Sequence, residues 1–240
     1  MGMRSMNRDS QRRVFFAYSK EMNESLDGKK DMHSTAPFVI GGGTNTEKYY
    51  FLGINKFTKY NFSVKPEYFG NESKYYEVFP QQINKIIEGN PDAVVYCVFD
   101  YDTVYNGRTK QEYHKKFLKV IESMKHKCPT CRITLCPSMP SIEYWFLLHF
   151  ENNTTLMRNP GIVNSSLSKH MRDYFQTSKK SFGKTLKAEV CLKDLMWVNK
   201  LSGDGKLQFA IKNAEENIQK FGKADALETH SYSYIFEVFK

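Results

Sequence analysis

The stretch Val94-Val95-Tyr96-Cys97-Val98-Phe99-Asp100-Tyr101-Asp102-Thr103 is a short apolar, β-rich run that ends abruptly in two carboxylates one residue apart. Its length and β-branched content are those of a strand covered on both faces in a parallel sheet. Open α/β sheets bind ligands at the C-terminal ends of such strands. Side chains of an extended strand repeat with period two, so Asp100 and Asp102 are expected on one side. Carboxylates that close repel each other unless a cation or a proton intervenes. Magnesium is the usual cation, held by one or two carboxylates with waters and phosphate oxygens. The plainer alternative is a polar loop start in which Asp102 caps the next helix.

The same pattern recurs downstream. Arg132-Ile133-Thr134-Leu135-Cys136 reads as the next strand and enters Pro137-Ser138-Met139-Pro140-Ser141-Ile142-Glu143-Tyr144-Trp145-Phe146-Leu147-Leu148-His149-Phe150, a polar loop followed by an apolar helix. Glu143 falls in that helix's first turn, where a carboxylate is favoured by the helix dipole. The functional alternative makes Glu143 a third carboxylate facing Asp100 and Asp102, with Ser138 and Ser141 of the loop as candidate phosphate contacts. His149, six residues further on and nearer the opposite side of the helix, reads as structural.

Upstream, Pro37-Phe38-Val39-Ile40 enters Gly41-Gly42-Gly43-Thr44-Asn45-Thr46-Glu47-Lys48, a strand, a glycine turn and a helix. Glycines let a backbone approach an anion closely, and a helix N-terminus offers free N–H groups. Gly41, Gly42, Gly43, Thr44 and Lys48 are therefore the candidate phosphate-binding residues here. Thr44 and Glu47 also have capping-box spacing, so Glu47 is expected to cap its own helix. The glycines match neither a Walker A loop nor G-x-G-x-x-G.

Between these motifs the chain alternates strand and helix. The region Phe57 to Phe69 is expected to hold a second strand, Tyr75 to Gly89 a helix, and Gln111 to Lys127 a basic amphipathic helix. Asn152 to Asn164 reads as a loop. Helical patterns then occupy Leu167 to Tyr174, Leu186 to Leu201, Leu207 to Phe221 and Tyr232 to Phe239. The organisation expected is a basic, irregular extension over 1–36, an α/β core over 37–150 and a mainly helical region over 151–240 packing on that core.

Lys and Arg number 35 against 26 Asp and Glu, a formal net charge of +9, which suits an anionic partner and nucleic acid first. Some of the 15 Tyr and 18 Phe could stack on bases, although most are expected in the core. Hydrophobic residues make up 40%, which argues against global disorder. Cys128-Pro129-Thr130-Cys131 lacks further zinc ligands and precedes a strand, so neither metal nor redox use is expected of it. With no secretory signal, five cysteines suit a reducing cytoplasm. The run from Tyr144 to Phe150 is too short to span a bilayer, and the N-terminus lacks a myristoylation pattern, so no membrane partner is expected.

Taken in order, Gly43-Thr44-Asn45-Thr46-Glu47-Lys48-Tyr49-Tyr50-Phe51, Val98-Phe99-Asp100-Tyr101-Asp102 and the segment from Pro137 to Phe150 resemble the RloB family. The tail from Thr229 to Glu237 loosely resembles that family's closing motif. The resemblance implies a Toprim-like fold, a mostly parallel sheet flanked by helices. It also implies magnesium (with manganese as a substitute) held by a glutamate after the first strand and by the D-x-D. RloB proteins are associated with restriction and phage-defence loci. That association implies a nuclease acting on DNA or RNA, tRNA included, with a defence-system partner protein and an oligomer among its possible assemblies.

One departure bears on activity: the family's first-strand glutamate maps onto Gly42, which can neither ligate a metal nor act as a base. Glu47 matches the family's second glutamate. The catalytic candidates are thus Asp100, Asp102, Glu143 and Glu47, with Asp100, Asp102 and Glu143 as metal ligands. Lys48, Lys179, Lys180 and Lys184 are candidates to neutralise phosphates. The rival expectation is an inactive binding module for nucleic acid or a nucleotide on the same scaffold. A third is a phosphoryl-transfer or nucleotide-signal enzyme, since fold does not settle substrate.

Overall fold

The computed structural model describes residues 36–42, 46–65, 74–102, 108–172, 195–221 and 229–240. All belong to one compact unit, Ser34–Lys240. The N-terminal extension, Gly43, Thr44, Lys179, Lys180 and Lys184 lie outside the described residues.

Among the described residues, five strands form one mixed, mostly parallel sheet: β1 (Phe38–Gly41), β2 (Ser63–Lys65), β3 (Val94–Asp100), β4 (Arg132–Met139) and β5 (Tyr232–Ser233). Their order across the sheet is β2-β1-β3-β4-β5. The first four run parallel, and β5 adds antiparallel to β4. Seven helices flank the sheet among the described residues: α1 (Thr46–Phe57), α2 (Tyr75–Gly89), α3 (Arg108–Lys127), α4 (Ile142–Leu147), α5 (Pro160–His170), α6 (Met196–Ser202) and α7 (Lys206–Phe221). A 3₁₀ turn, Ile235–Phe239, closes the chain. This is the α/β architecture expected from the alternating pattern.

Alternation along the strands divides the core in two. Phe38, Ile40, Val95, Cys97 and Phe99 point to one face, where they meet Tyr75, Phe79, Ile83 and Ile86 of α2 and Phe117, Ile121 and Met124 of α3. Val98 and Asp100 point to the other face, as period two requires. The second face carries α1, and α6 packs closely on α1 at Gly53. A methyl group built on Gly53 would lie 2.5–2.8 Å from the side-chain carbons of Val198. Gly53→Ala is therefore expected to destabilise the protein by about 1–3 kcal/mol through overpacking, read as a lowered urea midpoint with an unchanged slope.

Two expectations need correction. The aromatic tail Tyr232 to Phe239 is not an α-helix: Tyr232 and Ser233 pair with Met139 and Ser138 of β4, and only the last residues coil. The loop expected from Asn152 to Asn164 ends early, because Asn159 caps α5 by accepting from the Ile162 amide, with Pro160 in the first turn. Cys128 and Cys131 are joined as a disulfide across the turn between α3 and β4.

Candidate functional site

Asp100 ends β3 at the C-terminal edge of the sheet, paired in register with Ser138 of β4. Its side chain lies on the α1 face and accepts a hydrogen bond from the Ile142 amide at 2.8 Å. That bond ties the end of β3 to the first residue of α4. Beyond Asp100 the chain turns. The Tyr101 amide donates to the Ser138 carbonyl, and the Asp102 amide to the Pro140 carbonyl. Asp102 has already left extended geometry, so strict period-two alternation does not carry to it.

Three further carboxylates act on Asp100. Burial, then the charges of Glu47 and Glu143, and last that of Asp102, hold its carboxyl well above the usual carboxylate range, against the opposing pull of the Ile142 N–H. Glu47 sits in the first turn of α1 and is 4% exposed; Glu143 is in α4 and is 8% exposed. The carboxylates thus come from three separate segments, the ends of β3, α1 and α4, and share the edge where α/β sheets bind ligands. Among the described residues, no three Asp, Glu, His or Cys side chains form a ready metal-binding group. The charges of Glu47, Glu143 and Asp102 each disfavour ionisation of Asp100, and a proton or a cation at Asp100 relieves that repulsion. Magnesium asks for only one or two protein carboxylates, with water and phosphate filling its shell, so the oxygen donors present fit that ion.

Glu47 takes a larger part in this charge cluster than its capping-box spacing suggests. Its charge is the strongest of the three acting on Asp100. Ser141 donates to Glu143 Oε2 at 2.5 Å and is itself buried, so it orients a carboxylate. Ser138, expected as a phosphate contact, is 0% exposed, and its hydroxyl is bonded to that of Ser233 at 2.7 Å across β4 and β5. Gly41 is buried at the end of β1, and Lys48 is half-buried in α1.

Gly42 extends the β1 ladder, its amide donating to the Val98 carbonyl at 2.7 Å. A Cβ added there would lie 3.2 Å from Phe99 Cβ and 3.3 Å from the Val98 carbonyl oxygen. A glutamate at this position would need its neighbours to shift by a few tenths of an ångström.

His149 lies away from this cluster. It is 1% exposed and sits in a closed hydrogen-bonded circuit. The Trp145 indole N–H donates to the Tyr50 hydroxyl at 2.8 Å. Tyr50 and His149 Nε2 are 3.3 Å apart, and His149 Nδ1 bonds the Trp145 carbonyl at 2.9 Å. This circuit locks α4 to α1 and so fixes the elements that carry Glu143 and Glu47.

A mostly parallel five-stranded sheet flanked by helices, with carboxylates gathered at its C-terminal edge, places the chain in the broad α/β class. Within it the chain belongs to the RloB-like protein family, which matches residues 38–238 and so includes every described carboxylate of the cluster. Comparison with curated proteins and with solved structures returned no match. Among the described residues, no helix is long and apolar enough to cross a membrane.

Proposed function

We propose that this protein is a magnesium-dependent nuclease, acting on nucleic acid at the edge formed by β3, α1 and α4. The observation that carries the reading is the gathering of buried Glu47 and Glu143 with Asp102 around Asp100 at the C-terminal edge of the sheet, close enough for their charges to act on it. A site that concentrates carboxylates where ligands bind is suited to a cation. Bound there, magnesium supplies Lewis-acid polarisation of the scissile phosphate and stabilises the leaving oxygen.

The chain's own residues do the rest. Asp100 and Asp102 offer oxygens to the ion from β3 and the turn after it. The Ile142 amide fixes the Asp100 rotamer through one carboxylate oxygen and so orients the other. Ser141 holds Glu143 by one oxygen, so its other oxygen can accept from an attacking water or complete the ion's shell. Glu47 supplies the acidic group contributed by the first β–α unit, in place of the carboxylate absent at Gly42. The excess of basic residues draws the polyanion in. Membership of the RloB-like family supports a role in antiviral defence.

The test is a panel of labelled single- and double-stranded DNA, structured RNA and nucleotides, each with magnesium, manganese or chelator. Metal-dependent cleavage of a polymer that falls roughly 10²–10³-fold in Glu47→Gln is expected. Gly42→Glu is expected to give no gain, because its added Cβ would press on Phe99 and the Val98 carbonyl. Cleavage by Gly42→Glu alone, with an inert parent, would make the natural chain a binding module and overturn the proposal.

A further inference from the structure

Beside the carboxylate edge runs a continuous series of rings. Tyr101, between the two aspartates, meets His114 edge-on with centroids 5.6 Å apart. His114 lies 6.0 Å from Tyr75 and bonds its hydroxyl at 2.7 Å. Tyr75 meets Tyr76 at 5.5 Å, and Tyr76 stacks on Tyr113 at 5.0 Å with ring planes only 9° apart. The inner members are tied to the core through Phe99 and Phe117. The last is not: Tyr113 is 42% exposed. Tyr76 packs against that core, while Tyr113 lies over it in solvent, where a ring loses much of the burial that makes an aromatic stabilising.

The charge around this pair is one-sided. From Arg108 to Lys119, helix α3 presents Arg108, Lys110, Lys115, Lys116 and Lys119 to solvent, with Glu112 as the sole acid in that span. Lys110 and Lys116 lie three residues either side of Tyr113, on its own face of the helix. The Lys116 ammonium lies 5.9 Å from the Tyr113 ring centre. A flat aromatic surface flanked by cations is complementary to a base and its phosphates. A duplex keeps its base faces stacked inside, so it has nothing to lay on such a surface except at an end.

We propose that Tyr113, backed by Tyr76 and flanked by Lys110 and Lys116, is a base-stacking subsite that receives an unpaired nucleotide of a single-stranded nucleic acid. The inference rests on the nuclease reading for its substrate class, and it sets the form in which the polymer reaches Asp100.

The experiment measures binding apart from cleavage. Fluorescence anisotropy with the full chain, in chelator, compares a labelled oligodeoxythymidylate, its oligouridylate counterpart, an abasic strand of the same length and a duplex. Tyr113→Ala is expected to lower affinity for both base-bearing strands by roughly tenfold and to leave the abasic strand unchanged. Tyr113→Phe is expected to keep the parent affinity, and Lys116→Ala to weaken base-bearing and abasic strands alike. Melting temperatures equal to the parent's show that the variants fold. An equal loss on the abasic strand, no loss at all, or a duplex bound as well as the single strand would overturn the subsite. Base-dependent binding without metal-dependent cleavage would instead remove the nuclease reading and leave the subsite standing.

Discussion

Asp100→Asn is expected to make the protein more stable at neutral pH in chelator while lowering metal-dependent cleavage by roughly 10²–10³-fold. The two effects share a cause. In the folded chain, burial and the charges of Glu47, Glu143 and Asp102 raise the Asp100 carboxyl well above its ordinary value of 3.8. Between that value and the raised one, the native state binds more protons than the unfolded chain. Stability therefore increases as pH falls through this window, and above it the ionised carboxylate destabilises the fold in full. Asparagine removes the charge yet keeps an oxygen to accept the Ile142 amide, so the junction of β3 and α4 survives. Thermal melts from neutral to mildly acid pH should show the parent gaining stability on acidification from this group, and the variant lacking that gain. Magnesium should raise the parent's melting temperature and raise that of Asp100→Asn much less, a readout that does not depend on finding the substrate. A variant that melts lower than the parent at neutral pH in chelator would mean that the cluster is already neutralised within the chain, and the cation argument would fall with it.

Why this site is partly legible in the sequence follows from the kinds of force that build it. Asp100 is visible because an apolar, β-branched run that stops at a carboxylate is the pattern of a buried strand ending at an open edge. Helix α2 is equally plain, since Val78, Ile83, Ile86 and Ile87 recur at helical spacing ahead of Gly89. Glu47 shows the limit. Its spacing from Thr44 describes a local cap, while its proximity to Asp100 depends on β1 lying beside β3, a pairing across more than fifty residues of chain. The tail misleads for the same reason. Tyr232 and Ser233 become a strand only because β4 offers an open edge to them. Pro137 is expected to end β4, yet the strand continues to Met139. The Pro137 carbonyl accepts from the Tyr234 amide, so its nitrogen faces the same side, where β5 has already given way to the 3₁₀ turn and no donor is called for. The α5 start, by contrast, is there to be read in Asn159-Pro160.

Acidification should also unfold the protein through His149, with a sign opposite to that of Asp100. Burial pushes the His149 imidazole down from 6.5 to about 4, and the nearby Lys206 charge acts in the same direction. The hydrogen bonds show why the neutral ring is required. The Trp145 carbonyl can only accept, so Nδ1 carries the proton, and Nε2 is left to accept from the Tyr50 hydroxyl. The Tyr50 oxygen in turn accepts from the Trp145 indole. A second ring proton would face the Tyr50 hydroxyl and force its hydrogen away, leaving a buried donor without an acceptor. The unfolded chain takes up this proton near 6.5 and the native state only near 4, so stability is lost as pH falls between the two. At its full extent the loss is about 3 kcal/mol. Urea midpoints across that range should therefore drop in Asp100→Asn, and the parent, which keeps the opposing gain from Asp100, should drop less. His149→Gln should start lower at neutral pH, with its circuit broken, and then show a flatter acid limb. Because the circuit joins α4 to α1, its loss should also loosen Glu143 against Glu47, so cleavage in His149→Gln should fall at pH values where Asp100 chemistry is unchanged. A midpoint that stays level from neutral pH down to about 4 in Asp100→Asn would show that His149 charges in place without cost, and the assignment of its tautomer and its structural role would both be wrong.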